Sequence, residues 1–248
     1  MGKIAWHAAL ILFSGLAVGT AQASIPLATQ PELKAGDKWI YKSSVERLGH
    51  WRQTRDESSV ERTEGDRVLM KVRAADSPEM PREQLVGSDW SRVRTVNGEE
   101  IVVNRPFAFP LEAGKSWKVE FSEDHPANRQ FSVEQVRAVY HVIGHDRITV
   151  PAGTFDAIKV EGEGRWKATV AAGSTGAAVT HVDQQGSSVT LEQNRQPVGA
   201  QVGGRIYKAF WYVPNIKRAV KLVEEWYNGN GVRTESENAE LESFSPAG

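Results

Sequence analysis

The sequence predicts an all-β protein: a curved antiparallel sheet or half-barrel with little helix, built from two regions that begin alike. Two observations carry this. The first is the run Phe155 to Val170, FDAIKVEGEGRWKATV. In it Ile158, Val160, Gly162, Gly164, Trp166, Ala168 and Val170 share one face, and Lys159, Glu161, Glu163, Arg165, Lys167 and Thr169 share the other. A period of two is the signature of a long, half-buried antiparallel strand, and the two glycines on its apolar face predict a bend. The second is a recurrence. Leu33 to Tyr41 and Leu111 to Val119 both read Leu-x-Ala-Gly-x-x-Trp, 78 residues apart. Each glycine ends a turn, and each Trp enters a strand facing inward. A common way of starting a sheet accounts for the pair, and so does a duplicated half-barrel.

Along the chain, residues 1–23 read as a secretory signal peptide. Lys3 supplies positive charge, Ala8 to Val18 an apolar stretch and Ala21-Gln22-Ala23 a small-residue cleavage site. A retained N-terminal anchor is the other reading, but the stretch is shorter than the roughly 20 residues of a membrane span. Residues 24–110 form an N-terminal β region. Here Val68, Met70, Val72 and Ala74 alternate with Arg67, Leu69, Lys71 and Arg73, and Pro78 to Gln84 has room for one helical turn. Residues 111–244 form a C-terminal β region. Trp117, Val119 and Phe121 alternate with Lys118 and Glu120; the apolar phase then slips between Phe131 and Val142, which predicts a β-bulge near Glu134-Gln135. Ile206 to Val213 and Ala219 to Tyr227 pair around Pro214-Asn215, with large residues on both faces. The small, Gly-rich insert 171–188 reads as a mobile loop or projecting hairpin, and the tail 245–248 as disordered.

Composition narrows the function classes. There is no cysteine, so the exported chain has no disulfide, no thiol chemistry and no cysteine at the cut to carry a lipid. The expected compartment is the periplasm, with secretion as the alternative. The leader carries Lys3 and no acidic residue, so its removal moves the net charge from −1 to −2, which gives no electrostatic case for nucleic-acid binding.

Candidate chemistry is sparse. His141 and His145 would share a helix face as metal ligands, but on a strand their rings stand roughly 13 Å apart, so no metal is expected. No nucleophile elbow, phosphate loop or dinucleotide motif is present, and no cofactor is implied. Glu161 and Glu163 could mimic a glycosidase pair, yet their alternation with Lys159, Arg165 and Lys167 favours a solvated ladder. Aromatic residues carry more. Trp39, Trp117 and Trp166 lie on inward faces, and Phe210 and Tyr212 oppose Trp211 and Tyr207 on one strand.

Two runs, Ile148-Thr149-Val150-Pro151-Ala152-Gly153-Thr154-Phe155-Asp156-Ala157-Ile158-Lys159-Val160 and Trp211-Tyr212-Val213-Pro214-Asn215-Ile216-Lys217-Arg218-Ala219-Val220-Lys221, resemble the DUF3108-like group of exported bacterial proteins of unknown function. The resemblance covers residues 111 to 228, departs from the group's pattern at Asn215-Ile216, and implies a curved half-barrel similar in appearance to LolA and LppX. It transfers no catalytic residue, since the shared motifs are turns and strand starts. LolA-like relatives hold acyl chains in the concavity of the sheet, which makes apolar-ligand binding an expectation by fold analogy.

The reading is therefore a non-enzymatic periplasmic β-protein that binds a lipid or other apolar ligand on a face including Val160, Trp166, Phe210 and Tyr212. The alternative is an envelope scaffold or accessory protein docking a protein partner along a sheet edge. A hydrolase using scattered carboxylates is the third reading.

Overall fold

The computed structural model describes residues 27–47, 49–172 and 197–248. The leader with its cut after Ala23, and residues 173–188 of the insert, lie outside the described residues. Twelve strands follow in order: β1 (Lys38–Arg47), β2 (His50–Glu64), β3 (Arg67–Ala74), β4 (Arg82–Gly87), β5 (Arg92–Val96), β6 (Glu99–Asn104), β7 (Ser116–Asp124), β8 (Phe131–Val150), β9 (Gly153–Val170), β10 (Gln201–Val213), β11 (Arg218–Tyr227) and β12 (Arg233–Ser245). Ten of them form one curved antiparallel sheet, ordered β4-β3-β2-β1-β12-β11-β10-β9-β8-β7, and β5-β6 make a separate hairpin. The sheet does not close into a barrel. Two meanders, β1–β4 and β7–β12, are joined where β12 pairs with β1, and residues 88–115 cross between them. Among the described residues, no helix is long and apolar enough to cross a membrane.

The predicted strand Phe155 to Val170 lies within β9, and its alternation holds: Ile158, Val160, Gly162, Ala168 and Val170 are buried while Glu163, Arg165 and Lys167 are exposed. The buried glycines have a definite task. Gly162 pairs with Tyr140 on β8, and a Cβ there would come within 2.8 Å of the Tyr140 ring. The tyrosine thus lies flat across the glycine and stacks on Trp117, ring centroids 5.5 Å apart.

The repeated Leu-x-Ala-Gly turns share their hydrogen bonding. Gly36 N donates to Val60 O and Val60 N to Asp37 O; likewise Gly114 N donates to Val142 O and Val142 N to Lys115 O. Both glycines adopt positive φ, +97° and +77°, a region open to glycine and costly for other residues.

Three expectations change. The bulge lies at Ser132, not Glu134-Gln135, with a second at Ile143. Glu134 occupies a position on the apolar side of β8, opposite Ala168, and that misplaced charge disguised the slip. Pro78 to Gln84 holds no helical turn. From Arg82 the chain is β4, placed by Val86 and Gln84 pairing with Val68 and Met70. The tail is tied down as well: β12 reaches Ser245, and Ala247 N donates to Asp37 Oδ1 at 2.9 Å.

Asp37 gathers distant parts of the chain. Its carboxylate is fully buried and also accepts from Lys34 N at 2.9 Å and Lys217 Nζ at 2.7 Å. Lys217 lies in the turn after β10, at φ +63°. Around it, Trp39 Nε1 donates to Ile216 O, Trp90 Nε1 to Lys217 O and the Tyr41 hydroxyl to Ala219 O. Burial pushes the Asp37 carboxyl up, but the hydrogen bonds from Lys217, Ala247 and Lys34 outweigh it and hold the group below its ordinary value. A depressed carboxyl contributes stability above the unfolded value of 3.8 that is lost as pH falls through the folded value. Asp37→Asn is therefore expected to cost about 2 kcal/mol at pH 7. In urea melts at several pH values, the deficit should shrink as the pH drops below that of a free carboxylate.

Candidate ligand site on the inner face of the sheet

Side chains on the concave, inner face divide into an apolar half and a charged half. The apolar half is built from β8 to β12. Phe210 pairs with Val160 and Tyr212 with Ile158 across β10-β9, and Val160 pairs with Val142 across β9-β8. These residues are buried, yet among the described residues no strand covers them. The cover is the irregular segment between β6 and β7. Phe107 packs 5.9 Å from Phe210 and 4.9 Å from Tyr212, and Phe109 lies 5.2 Å from Tyr212, centroid to centroid. The segment is fixed near its ends: Leu111 bridges to Ala28, Trp117 Nε1 donates to Arg105 O, and the Tyr140 hydroxyl donates to Asn104 Oδ1.

The geometry brings Val160, Phe210 and Tyr212 together under Phe107. Trp166 lies six residues along β9 from Val160, roughly 20 Å away at strand rise. It pairs with Gly204, donates to Tyr227 O, and is flanked by Phe131 at 6.1 Å and Trp226 at 6.4 Å. It thus belongs to the far end of the inner face. Trp211 is on the outer face, where it donates to Asp146 Oδ2 and lies beneath the Lys159 and Lys221 ammonium groups. His145 pairs with Asp156. Glu161 is held by Lys159 and the Tyr207 hydroxyl.

The charged half contains residues that sequence reasoning missed. Lys208 and Glu224 form an ion pair of 3.0 Å, with Lys208 buried, and Glu224 also accepts from Trp226 Nε1. Glu237 stands directly opposite Glu224 across β11-β12. Burial first, and then the Glu224 charge, push the Glu237 carboxyl above its ordinary value, with Arg92 and Lys208 opposing. Beyond this pair, Arg47 and Glu235 make a two-pronged ion pair. There Val45, Trp51, Thr54 and Glu237 line an open groove of about 580 Å³. The missed signal is one of phase: Lys208 shares the inward register of Ile206, Phe210 and Tyr212, and Glu224 that of Leu222 and Trp226.

No protein-family model matches the chain, so none supports the DUF3108-like resemblance, and no curated protein matches it. Solved structures do show likenesses. A Bacteroides fragilis NCTC 9343 protein designated exported and of YmcC-like fold is 13% identical; 88% of this chain and 99% of that chain are covered, at a TM-score of 0.45. A Parabacteroides distasonis ATCC 8503 protein designated a lipoprotein is 14% identical, with 88% and 99% covered and a TM-score of 0.46. The hypothetical lipoprotein YmcC from Escherichia coli K12 is 9% identical, with 84% and 86% covered and a TM-score of 0.32. With such low identities and scores, these likenesses carry no functional weight.

A raised carboxyl costs stability at pH values above its folded pKa and costs nothing below its unfolded value of 4.5. Glu237→Gln is therefore expected to stabilise the protein at pH 7 by roughly 0.2–1 kcal/mol, the scale of a like-charged cross-strand pair. Thermal melts should show that gain vanish at pH 4.

Proposed function

We propose that the chain is a non-enzymatic envelope protein that binds an apolar or amphipathic ligand on the inner face of its sheet. In this reading, the segment Arg105–Leu111 occupies the ligand's seat until the ligand displaces it. One observation supports this above all: Phe107 and Phe109 cover Phe210 and Tyr212 from a stretch of chain that forms no strand with the sheet. Side-chain contacts hold the middle of that stretch, so it can leave without breaking a strand ladder. An acyl chain or similar group would meet the same aromatic and aliphatic lining. The expected periplasmic or secreted location follows from the N-terminal leader pattern.

The scaffold reading draws its support from a different place. β4 is an edge of the ten-stranded sheet, and Leu85 on it and Met80 just before it are strongly exposed. At the opposite edge, Asn97 caps β7 through Ser122 O and Asp124 N, so a partner strand would add to β4.

Phe107→Ala separates these readings. Removing a buried phenylalanine is expected to lower stability by about 3 kcal/mol. Because the displaced segment competes less well, the same variant should bind a fluorescent long-chain probe several-fold more tightly than the parent in an emission titration. Failure of both proteins to bind the probe would end the ligand reading and leave the β4 edge.

A further inference from the structure

Arg218 is a half-buried cation with few partners among the described residues. Its guanidinium carbon lies 4.6 Å from the Trp90 ring centroid, 5.1 Å from Tyr41 and 5.6 Å from Trp39. Three rings thus take the faces and flanks of the group, but rings cannot satisfy in-plane N–H donors. Of the five donors an arginine carries, Nη1 is the one with an acceptor among the described residues, the buried Ser58 Oγ at 2.7 Å. Among the described residues no carboxylate pairs with Arg218.

A second cation adds to the first. Arg92, exposed at the start of β5, makes no close ion pair among the described residues; its charge favours the Glu237 carboxylate and reaches Arg218 unfavourably. Burial first, and then Arg92, pull the Arg218 guanidinium below its ordinary value, with Tyr41 opposing. A half-buried guanidinium that has no carboxylate partner and feels a like charge nearby is costly to keep. A planar fork of donors matches the two oxygens of a carboxylate or phosphate. The location is continuous with the apolar seat: Ala219, next to Arg218, pairs with Tyr212 across β10-β11.

We propose that Arg218 forms an oxyanion site at the border of the apolar seat, taking the carboxylate or phosphate of an amphipathic ligand whose chain lies over Phe210 and Tyr212. The assignment of the chain rests on the ligand reading above, whereas the anion site itself rests on Arg218. Free phosphate and an acyl headgroup share this chemistry, so the probes must part them.

Calorimetric titrations of the mature chain with decanoate, 1-decanol and inorganic phosphate do so. Decanoate is expected to bind at least about ten-fold more tightly than 1-decanol, the scale of one charge-assisted hydrogen bond. Arg218→Lys keeps the charge but loses the fork, and Arg218→Gln removes the charge. Each should shrink that preference while leaving 1-decanol affinity unchanged. Equal binding of decanoate and 1-decanol would overturn the anion site and leave the apolar seat standing. Phosphate binding that both substitutions weaken, with no binding of 1-decanol, would support the anion site and overturn the seat. Binding of none of the three would overturn both.

Discussion

A ten-stranded sheet whose edge strands β4 and β7 do not pair with each other has an inner face that it cannot bury by closing on itself. That face presents Val68, Met70, Tyr41, Phe210, Tyr212 and Val160, and each such side chain left in water would forgo about 1.5–3 kcal/mol. The protein covers the face with the chain that links its two meanders. Trp90, Phe107, Phe109 and Leu111 all come from this crossing and join the same core as the sheet residues. The location of the crossing is therefore dictated by the sheet's need for cover, and after the β5-β6 hairpin its chain lies over the face without joining the ladder. A cover attached through side chains is the kind of element that a ligand of similar surface can replace.

The two halves of the inner face differ in how firmly they are built. At the β10-β11 turn, Asp37 unites the start of β1, the turn itself and the C-terminal residues, while two Trp and one Tyr donate to the turn's carbonyls. Tyr41, in that group, is pushed up to about 12 by burial, against the opposing Arg218 charge. That end is the more densely hydrogen-bonded. Toward the other end, Lys208, Glu224, Glu237 and the Arg47–Glu235 pair bring charge onto the same face, and an open groove begins beside them. An inner face that passes from aromatic to ionic within one sheet suits an amphipathic molecule better than a plain hydrocarbon.

Much of the architecture was legible in the sequence, because β3, β7 and β9 alternate apolar and polar residues in a way only a half-buried strand explains, and β10 and β11 flank a Pro-Asn turn with large residues on both faces. The Gly-Trp turns were legible for a similar reason, since the positive φ at Gly36 and Gly114 leaves a fixed mark. β2 and β12 were not. Val60 and Ser58 are the buried residues of β2, and Ala239 and Leu241 those of β12. Both strands are held instead by cross-strand pairs such as Arg47–Glu235, Arg55–Glu242 and Arg73–Glu57, which look like surface charge when read one residue at a time. Three of the aromatic and aliphatic residues expected to face a ligand do meet on the inner face. That Phe107 lies against two of them could not be read from Pro106-Phe107-Ala108-Phe109-Pro110, a stretch with no periodicity. Arg218 was equally hidden, because its three aromatic neighbours come from positions 39, 41 and 90.

The central claim is that a ligand and the Phe107 segment compete for one seat. Hydrogen exchange across the linker between β6 and β7, measured with and without a saturating long-chain probe, tests it most directly. Competition predicts that amides around Phe107 and Phe109 exchange faster when the probe is bound, while those of Phe210 and Tyr212 stay protected. Bound probe with unchanged or slower exchange at Phe107 and Phe109 would contradict the account.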